Sequence, residues 1–135
     1  MSTLNQNVKI VSALDYASGS ANRNGAVIDT AAFEGALLQV HFAAIAGAVS
    51  IAAAHGNLAD GSDMSTIAST SRAIAPADSN KIISLDLFRP LKRYVRLVVT
   101  KGGNTSAESA QVILYGPKHA PVVDPNVTEH RSPVI

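Results

Sequence analysis

Four histidines, His41, His55, His119 and His130, are the residues best suited to hold a metal or move a proton, and their spacing serves neither purpose. No two stand in an HxH or HExxH pattern, so no local frame aims two imidazoles at one ion. His41 falls on the outward face of an expected strand and His55 at the end of the next stretch, while His119 and His130 lie in a tail. All four are read as surface or interface histidines, and no metal is expected. Asp60-Gly61-Ser62-Asp63 has the acidic, glycine-bearing look of a calcium loop but lacks the regular oxygen spacing and closing Glu, so it is read as a polar turn. Serines are plentiful, yet no GxSxG elbow presents one to a base. Gly19 and Gly25 are not followed by a Walker lysine signature, and Gly102-Gly103 fits a turn, so no phosphate cradle is formed. Glu34, Glu108 and Glu129 are the only glutamates and the aspartates fall mostly in turns, which leaves no carboxylate pair placed for glycoside hydrolysis. No catalytic residue and no cofactor are assigned, and the chain is read as a non-enzyme.

One charged constellation remains. Arg89, Lys92, Arg93 and Arg96 fall within eight positions, flanked by Phe88 and Tyr94. Arginine makes bidentate bonds to carboxylates and joins tyrosine among the anchors of protein interfaces. The patch therefore reads either as a contact for an acidic protein surface or as a solvated strand end. Nucleic acid is not the expected partner: eleven basic against ten acidic residues give a net charge of +1, and counterion release needs a larger excess.

The elements that must carry this patch follow from composition and periodicity. A chain of 135 residues is one domain with tails. Its hydrophobic fraction of 47% excludes general disorder, while 4% aromatic and 16% charged residues mean a core of Ala, Val, Ile and Leu. Cysteine is absent, so packing and partners must supply stability. The polar start Met1 to Asn7 lacks the basic and apolar regions of a secretory signal, so export by that route is not expected. Phe42 to Ala54, the longest nearly uncharged apolar run, is too short to span a bilayer, and no membrane partner is expected.

Alternation predicts a first strand at Val8 to Leu14, with Val8, Ile10 and Leu14 on one face. A long loop is expected from Asp15 to Gly25, a short strand at Ala26 to Thr30, and a corner at Phe33-Glu34-Gly35. From Gly35 the pattern puts Leu38, Val40 and Phe42 on one face and Leu37, Gln39 and His41 on the other. Ala43 to Ala54 is read as a hairpin in preference to a helix, because Gly47 suits a turn and Val49 and Ile51 alternate. Leu58 to Asn80 is mostly loop, with one strand near Thr66 to Ala68. Ile83, Leu85 and Leu87 share the face of a strand closed by Pro90. Val95, Leu97 and Val99 point inward in the next, which is expected to form a hairpin with Ala107 to Tyr115 across Lys101-Gly102-Gly103-Asn104. Many short strands with Gly, Pro and Asn turns and no amphipathic helix define the fold class as all-β, a jelly-roll-like antiparallel β-sandwich. The expected divisions are an N-terminal tail at 1–7, the sandwich at 8–117 and an extended proline-bearing arm at 118–135.

Taken in order, Val8-Lys9-Ile10-Val11, Asp15-Tyr16, Arg23-Asn24-Gly25, Phe33-Glu34-Gly35, Leu87-Phe88-Arg89-Pro90, Arg93-Tyr94-Val95-Arg96 and Tyr115-Gly116-Pro117 resemble the capsid cement, or head-stabilising decoration, proteins of tailed bacteriophages. The resemblance covers about residues 8 to 117. It implies a jelly roll and a non-enzymatic virion protein. Such a protein is made in the host cytoplasm and sits on the outer surface of an icosahedral shell, bridging neighbouring major capsid protein subunits. It also implies self-association, a dimer in preference to a trimer. The interface residues expected on this reading are Arg89, Lys92, Arg93, Tyr94 and Arg96, with Pro121, Val122 and Val123 of the arm. The alternative is a glycan- or receptor-binding sandwich of a tail fibre or adhesin, for which Tyr16 and Tyr94 are the available stacking residues. On the first reading, Arg93→Glu with Arg96→Glu is expected to leave the fold intact and weaken binding to particles in a pelleting assay.

Overall fold

Alternating apolar positions form the strands, and the burial of one face of each stacks them into two sheets. The structure, a computed structural model, describes residues 7–118. The expected tails at 1–7 and 118–135 therefore lie outside it, apart from Asn7 and Lys118. Ten strands are formed: β1 (Val8–Gly19), β2 (Arg23–Asn24), β3 (Ile28–Asp29), β4 (Phe33–Ile45), β5 (Val49–Gly56), β6 (Ser65–Thr66), β7 (Arg72–Ile74), β8 (Ile82–Phe88), β9 (Tyr94–Thr100) and β10 (Ser106–Pro117). One sheet has the order β1-β10-β4-β8, the other β2-β9-β5-β6, with β3 also on β9 and β7 on β5. All pairings are antiparallel. The steps from β4 to β5, β8 to β9 and β9 to β10 each carry the chain from one sheet to the other, which is jelly-roll winding.

That winding corrects two expectations. Ala43 to Ala54 does form strand, turn and strand, and β9 and β10 do flank a turn, but neither pair is a hairpin. β4 pairs with β10 and β8, and β5 with β6, β7 and β9, so the reversal at Gly47 goes across the core instead of along the sheet. Gly47 allows this by letting Asn104 close against it, with the Asn104 side-chain amide donating to the Ala48 carbonyl at 2.7 Å. The Asp15 to Gly25 loop is also corrected. β1 runs on to Gly19 because Ala17 and Ser18 pair with Glu108 and Ala107, and sheet pairing outweighs local turn preference. Phe33-Glu34-Gly35 opens β4 instead of forming a corner. The period in β1 breaks at irregularities between Ser12, Leu14 and Ala17: Val11 packs on the core, Ala13 and Leu14 both enter it, and Ile10 turns outward. Near the expected strand at Thr66 to Ala68 the structure has β6 and a 3-10 turn at Ala68–Thr70, and β7 follows without having been foreseen.

The facing residues of β4, β8, β9 and the second half of β10 behave as their alternation predicts. Leu38, Val40, Phe42, Val112 and Leu114 of one sheet meet Ile51, Ala53, Val95, Leu97 and Val99 of the other, all essentially inaccessible to water. Phe42 is the only fully buried aromatic among the described residues, so the core is filled by branched and small side chains.

At one end of the sandwich that apolar filling gives way to a buried charge pair. Lys101 and Glu108 have side chains 1% and 0% exposed, with Nζ 2.7 Å from Oε1. The ammonium also donates to the carbonyls of Gly19 at 2.9 Å and Ser106 at 3.1 Å, so two hydrogen bonds add to the ion pair. Arg23 approaches the same carboxylate at 3.8 Å and donates to the carbonyls of Glu108 and Asp15. The Lys101 backbone N–H donates to Asn22 Oδ1 at 2.7 Å. One cluster thereby joins the end of β1, the β1–β2 turn, the end of β9 and the start of β10. Breaking such a pair on one side strands a buried charge and costs about 3–5 kcal/mol, whereas replacing both partners with apolar residues removes that penalty. Urea unfolding at neutral pH is expected to show Glu108→Gln destabilised by about that amount, with Lys101→Met plus Glu108→Leu recovering most of the loss.

Candidate functional site

The far end of the sandwich carries the basic segment. Its residues divide into two groups. Arg93 faces back onto the fold: its Nε and one terminal nitrogen donate to the two carboxylate oxygens of Asp29 at 2.9 and 2.8 Å. The Arg93 guanidinium holds the Asp29 carboxyl below the usual aspartate range, chiefly through that hydrogen bond. The Arg93 carbonyl accepts from the Thr30 N–H and hydroxyl at 2.9 and 2.6 Å, so Arg93 fastens the β3–β4 turn to the start of β9. Arg96 is half-buried under the loop at 57–64, its guanidinium close beneath Gly61. That loop is the polar turn expected at Asp60 to Asp63: Asp60 accepts from the Ser62 N–H, and Asp63 accepts from the N–H groups of Asn57 and Leu58. Tyr94 is half-buried with its ring 5.1 Å from the Arg93 guanidinium.

Arg89 is exposed, and Lys92 is half-buried beside it. Arg89 lies in the left-handed region at φ 52°, a conformation uncommon for a residue with a Cβ, and its N–H donates to the Glu34 carbonyl at 2.7 Å. Its guanidinium rests 5.1 Å from the centre of the Phe88 ring, which is 57% exposed. Between Arg89 and Lys92 stands Leu91, 90% exposed. Together with Lys118 and Glu34 these residues line a groove of about 380 Å³ between the β3–β4 turn and the β8–β9 connection. Among the described residues, neither Arg89, Lys92 nor Lys118 has a carboxylate within salt-bridge distance.

The five clustered residues of the sequence therefore divide by partner: Arg93 is exposed but held by Asp29, Tyr94 and Arg96 are half-buried, and Arg89 and Lys92 have no carboxylate within salt-bridge distance among the described residues. The paired exchange of Arg93 and Arg96 for Glu is not a clean probe, because Glu at 93 faces Asp29 and the loop at 57–64 loses its support. Pro121, Val122 and Val123 lie outside the described residues. Sequence reasoning missed Leu91 and Lys118. The available signal was Pro90-Leu91-Lys92, an apolar residue in a turn that no periodicity assigns to the core.

The outer face of the β1-β10-β4-β8 sheet is a second exposed surface. Its cross-strand rows run Val8–Tyr115–Gly35–Phe88, Ile10–Ile113–Leu37–Asp86 and Ser12–Gln111–Gln39–Ser84, followed by Ser109–His41–Ile82. In the first row the Tyr115 ring lies directly over Gly35, where any Cβ would collide with it, and the Tyr115 hydroxyl donates to Asp86 at 2.6 Å. Burial, and then the carboxylate of Asp86, push the Tyr115 hydroxyl up to about 12. Among the described residues no group of three His, Asp or Glu side chains is placed to share a metal ion.

No protein-family profile matches the chain, and no characterised protein sequence matches it. Among solved structures, PBSX exported protein XepA is similar over 100% of this chain at 15% identity with a TM-score of 0.58; this chain spans 44% of its length, less than half. A chain from the disulfide-linked pili of Bacillus endospore appendages is similar over 87% of this chain and 97% of its own, at 12% identity and a TM-score of 0.48. PirA is similar over 85% and 96%, at 14% identity and a TM-score of 0.38. The likeness to XepA is one of fold.

The Tyr115 phenol makes stability depend on pH at the alkaline end. The folded chain keeps the phenol proton after an unfolded chain, with its tyrosine near 10.0, has lost it. The stabilisation is thus complete below about pH 10 and is lost as pH rises toward about 12. Thermal unfolding followed across that window is expected to show this decline in the wild type and a shallower one in Tyr115→Phe.

Proposed function

We propose that the chain is a non-enzymatic structural protein of a virus particle, a cement protein that binds the outside of an icosahedral phage shell and ties neighbouring major capsid protein subunits together. The observation that carries this reading is the rim formed by Phe88, Arg89, Leu91, Lys92 and Lys118: two exposed apolar side chains among cations with no carboxylate of the described residues within salt-bridge distance. Apolar anchors bordered by unpaired cations suit an acidic protein surface, since the anchors supply burial and the cations supply steering and register. The resemblance of the ordered segments to phage decoration proteins, and a jelly-roll fold shared with an exported protein of PBSX, support the same class.

Position strengthens the argument. Lys118 is fastened beside the rim, its N–H donating to the Ala32 carbonyl at 2.9 Å, and Pro121, Val122 and Val123 follow it closely in the sequence. A rim and an arm that engage one lattice act as linked contacts, and each need be only modest for the whole to hold. Self-association, a dimer in preference to a trimer, would multiply those contacts again.

The test is co-sedimentation with expanded shells assembled without this protein. Saturable pelleting of the wild type is expected. Arg89→Glu with Lys92→Glu should fold normally and bind about tenfold more weakly, equivalent to about 1.4 kcal/mol. Wild-type protein that stays in the supernatant overturns the cement reading, and undiminished pelleting of the double variant removes the rim from it.

A further inference from the structure

Apart from Phe88 at its end, the rim leaves the outer face of the four-stranded sheet unused, and that face holds a larger groove of about 490 Å³ around the row Ser12–Gln111–Gln39. We propose that this groove is a binding site for a neutral oligosaccharide. The inference is independent of shell binding: the groove's central row at Gln39 lies four residues along β4 from Gly35, the partner of Phe88 in the rim, roughly 13 Å at strand spacing.

The floor supplies the hydrogen bonding. Gln111 Nε2 donates to Gln39 Oε1 at 3.0 Å across β10 and β4. The Gln39 amide nitrogen and Gln111 Oε1 have no hydrogen-bond partner in the protein among the described residues. A sugar hydroxyl both donates and accepts, so this donor and this acceptor can each take one. Ser109 and His41 extend the polar floor in the next row. The Ser12 hydroxyl, 3.4 Å from Asp15, adds a polar group on the β1 side.

The walls supply stacking. Tyr16 on β1 is 66% exposed and Ile82 on β8 is 64% exposed, and both line the groove from opposite edges of the sheet. An exposed tyrosine ring takes the C–H face of a sugar, the arrangement in which one side of the ligand is apolar and the other wet. The edges are three strand spacings apart, roughly 14 Å, which fits several linked sugars better than one.

Charge and backbone exclude the competing ligand classes. No Lys or Arg lines the groove and Asp15 is its one carboxylate, so uronates, phosphates and other anions meet a fixed negative charge and no permanent cation. β10 and β4 are paired on both sides, so an extended peptide laid over them finds no free backbone to join.

The test is NMR titration of the full chain, reading the side-chain amide signals of Gln39 and Gln111. The probes are cellohexaose, chitohexaose, maltohexaose and mannohexaose, with an oligogalacturonate as the charged comparison and a tryptic albumin digest as the peptide comparison. At least one neutral sugar is expected to shift both amides saturably with a Kd of about 1 mM, and Tyr16→Ala and Gln39→Ala should each weaken it about fivefold or more. Tyr16 is exposed enough for its variant to fold whatever Gln39→Ala does. No shift with any neutral sugar at about 10 mM overturns the proposal. So does a response to the oligogalacturonate or the peptides alone, or a neutral-sugar response unchanged in the variants.

Discussion

A lysine ammonium removed from water holds one end of this molecule together. Lys101 and Glu108 sit where the two sheets converge, and each is fully enclosed. Neither charge can be there alone, because desolvating it without a partner costs several kcal/mol; together, with Gly19 and Ser106 carbonyls also accepting from the ammonium, they can. The acceptors come from the end of β1 and the start of β10, and the donor from the end of β9, so the geometry is satisfied only when β9 has crossed over to deliver the chain into β10 of the other sheet. Arg23 and Asn22 extend the same cluster into the β1–β2 turn. The pair thus makes one strand crossing specific in a core whose small, branched side chains provide volume but little directionality.

That division leaves the opposite end free. β10 pairs Ser106 with Ile45 near the charge cluster and Pro117 with Phe33 near the rim, so the two ends are separated by nearly the whole length of the strand. Order at the rim comes instead from the Asp29–Arg93 fork, the Thr30 bonds to the Arg93 carbonyl and the Tyr115 ring seated over Gly35. These are surface interactions of modest worth. They hold the connection from Arg89 to Lys92 in place without enclosing it, and Phe88 and Leu91 stay exposed beside unpaired cations.

The faces of β4, β8 and β9 were legible because a half-buried strand writes its burial into every second residue: Leu38, Val40 and Phe42, or Val95, Leu97 and Val99, admit no other reading. β1 was not, because irregularities at Ser12 to Ala17 shift the period and send Ala13 and Leu14 inward together. The basic patch was visible as a cluster along the chain. What each member does was not: Arg93 is taken up by Asp29 from 64 positions away, and that partner cannot be found by inspecting neighbours. Lys101 read as a turn residue and Glu108 as a strand glutamate without a partner, since charged side chains are rarely buried unless paired and the pairing is itself tertiary.

Composition and periodicity by themselves determined that this is an all-β domain, which strand faces turn inward, and where the chain reverses: Gly47 and Gly102-Gly103 mark reversals that occur. They did not determine the direction of those reversals. A glycine at a turn relaxes the local backbone equally for a hairpin in one sheet and for a crossing between two, and the choice belongs to whichever strands lie alongside. β4 and β5, and β9 and β10, therefore became opposite walls of a sandwich only in the folded chain. The buried ion pair and the row of Ser12, Gln111 and Gln39 were decided there too, because each is assembled from segments that only strand pairing brings into register.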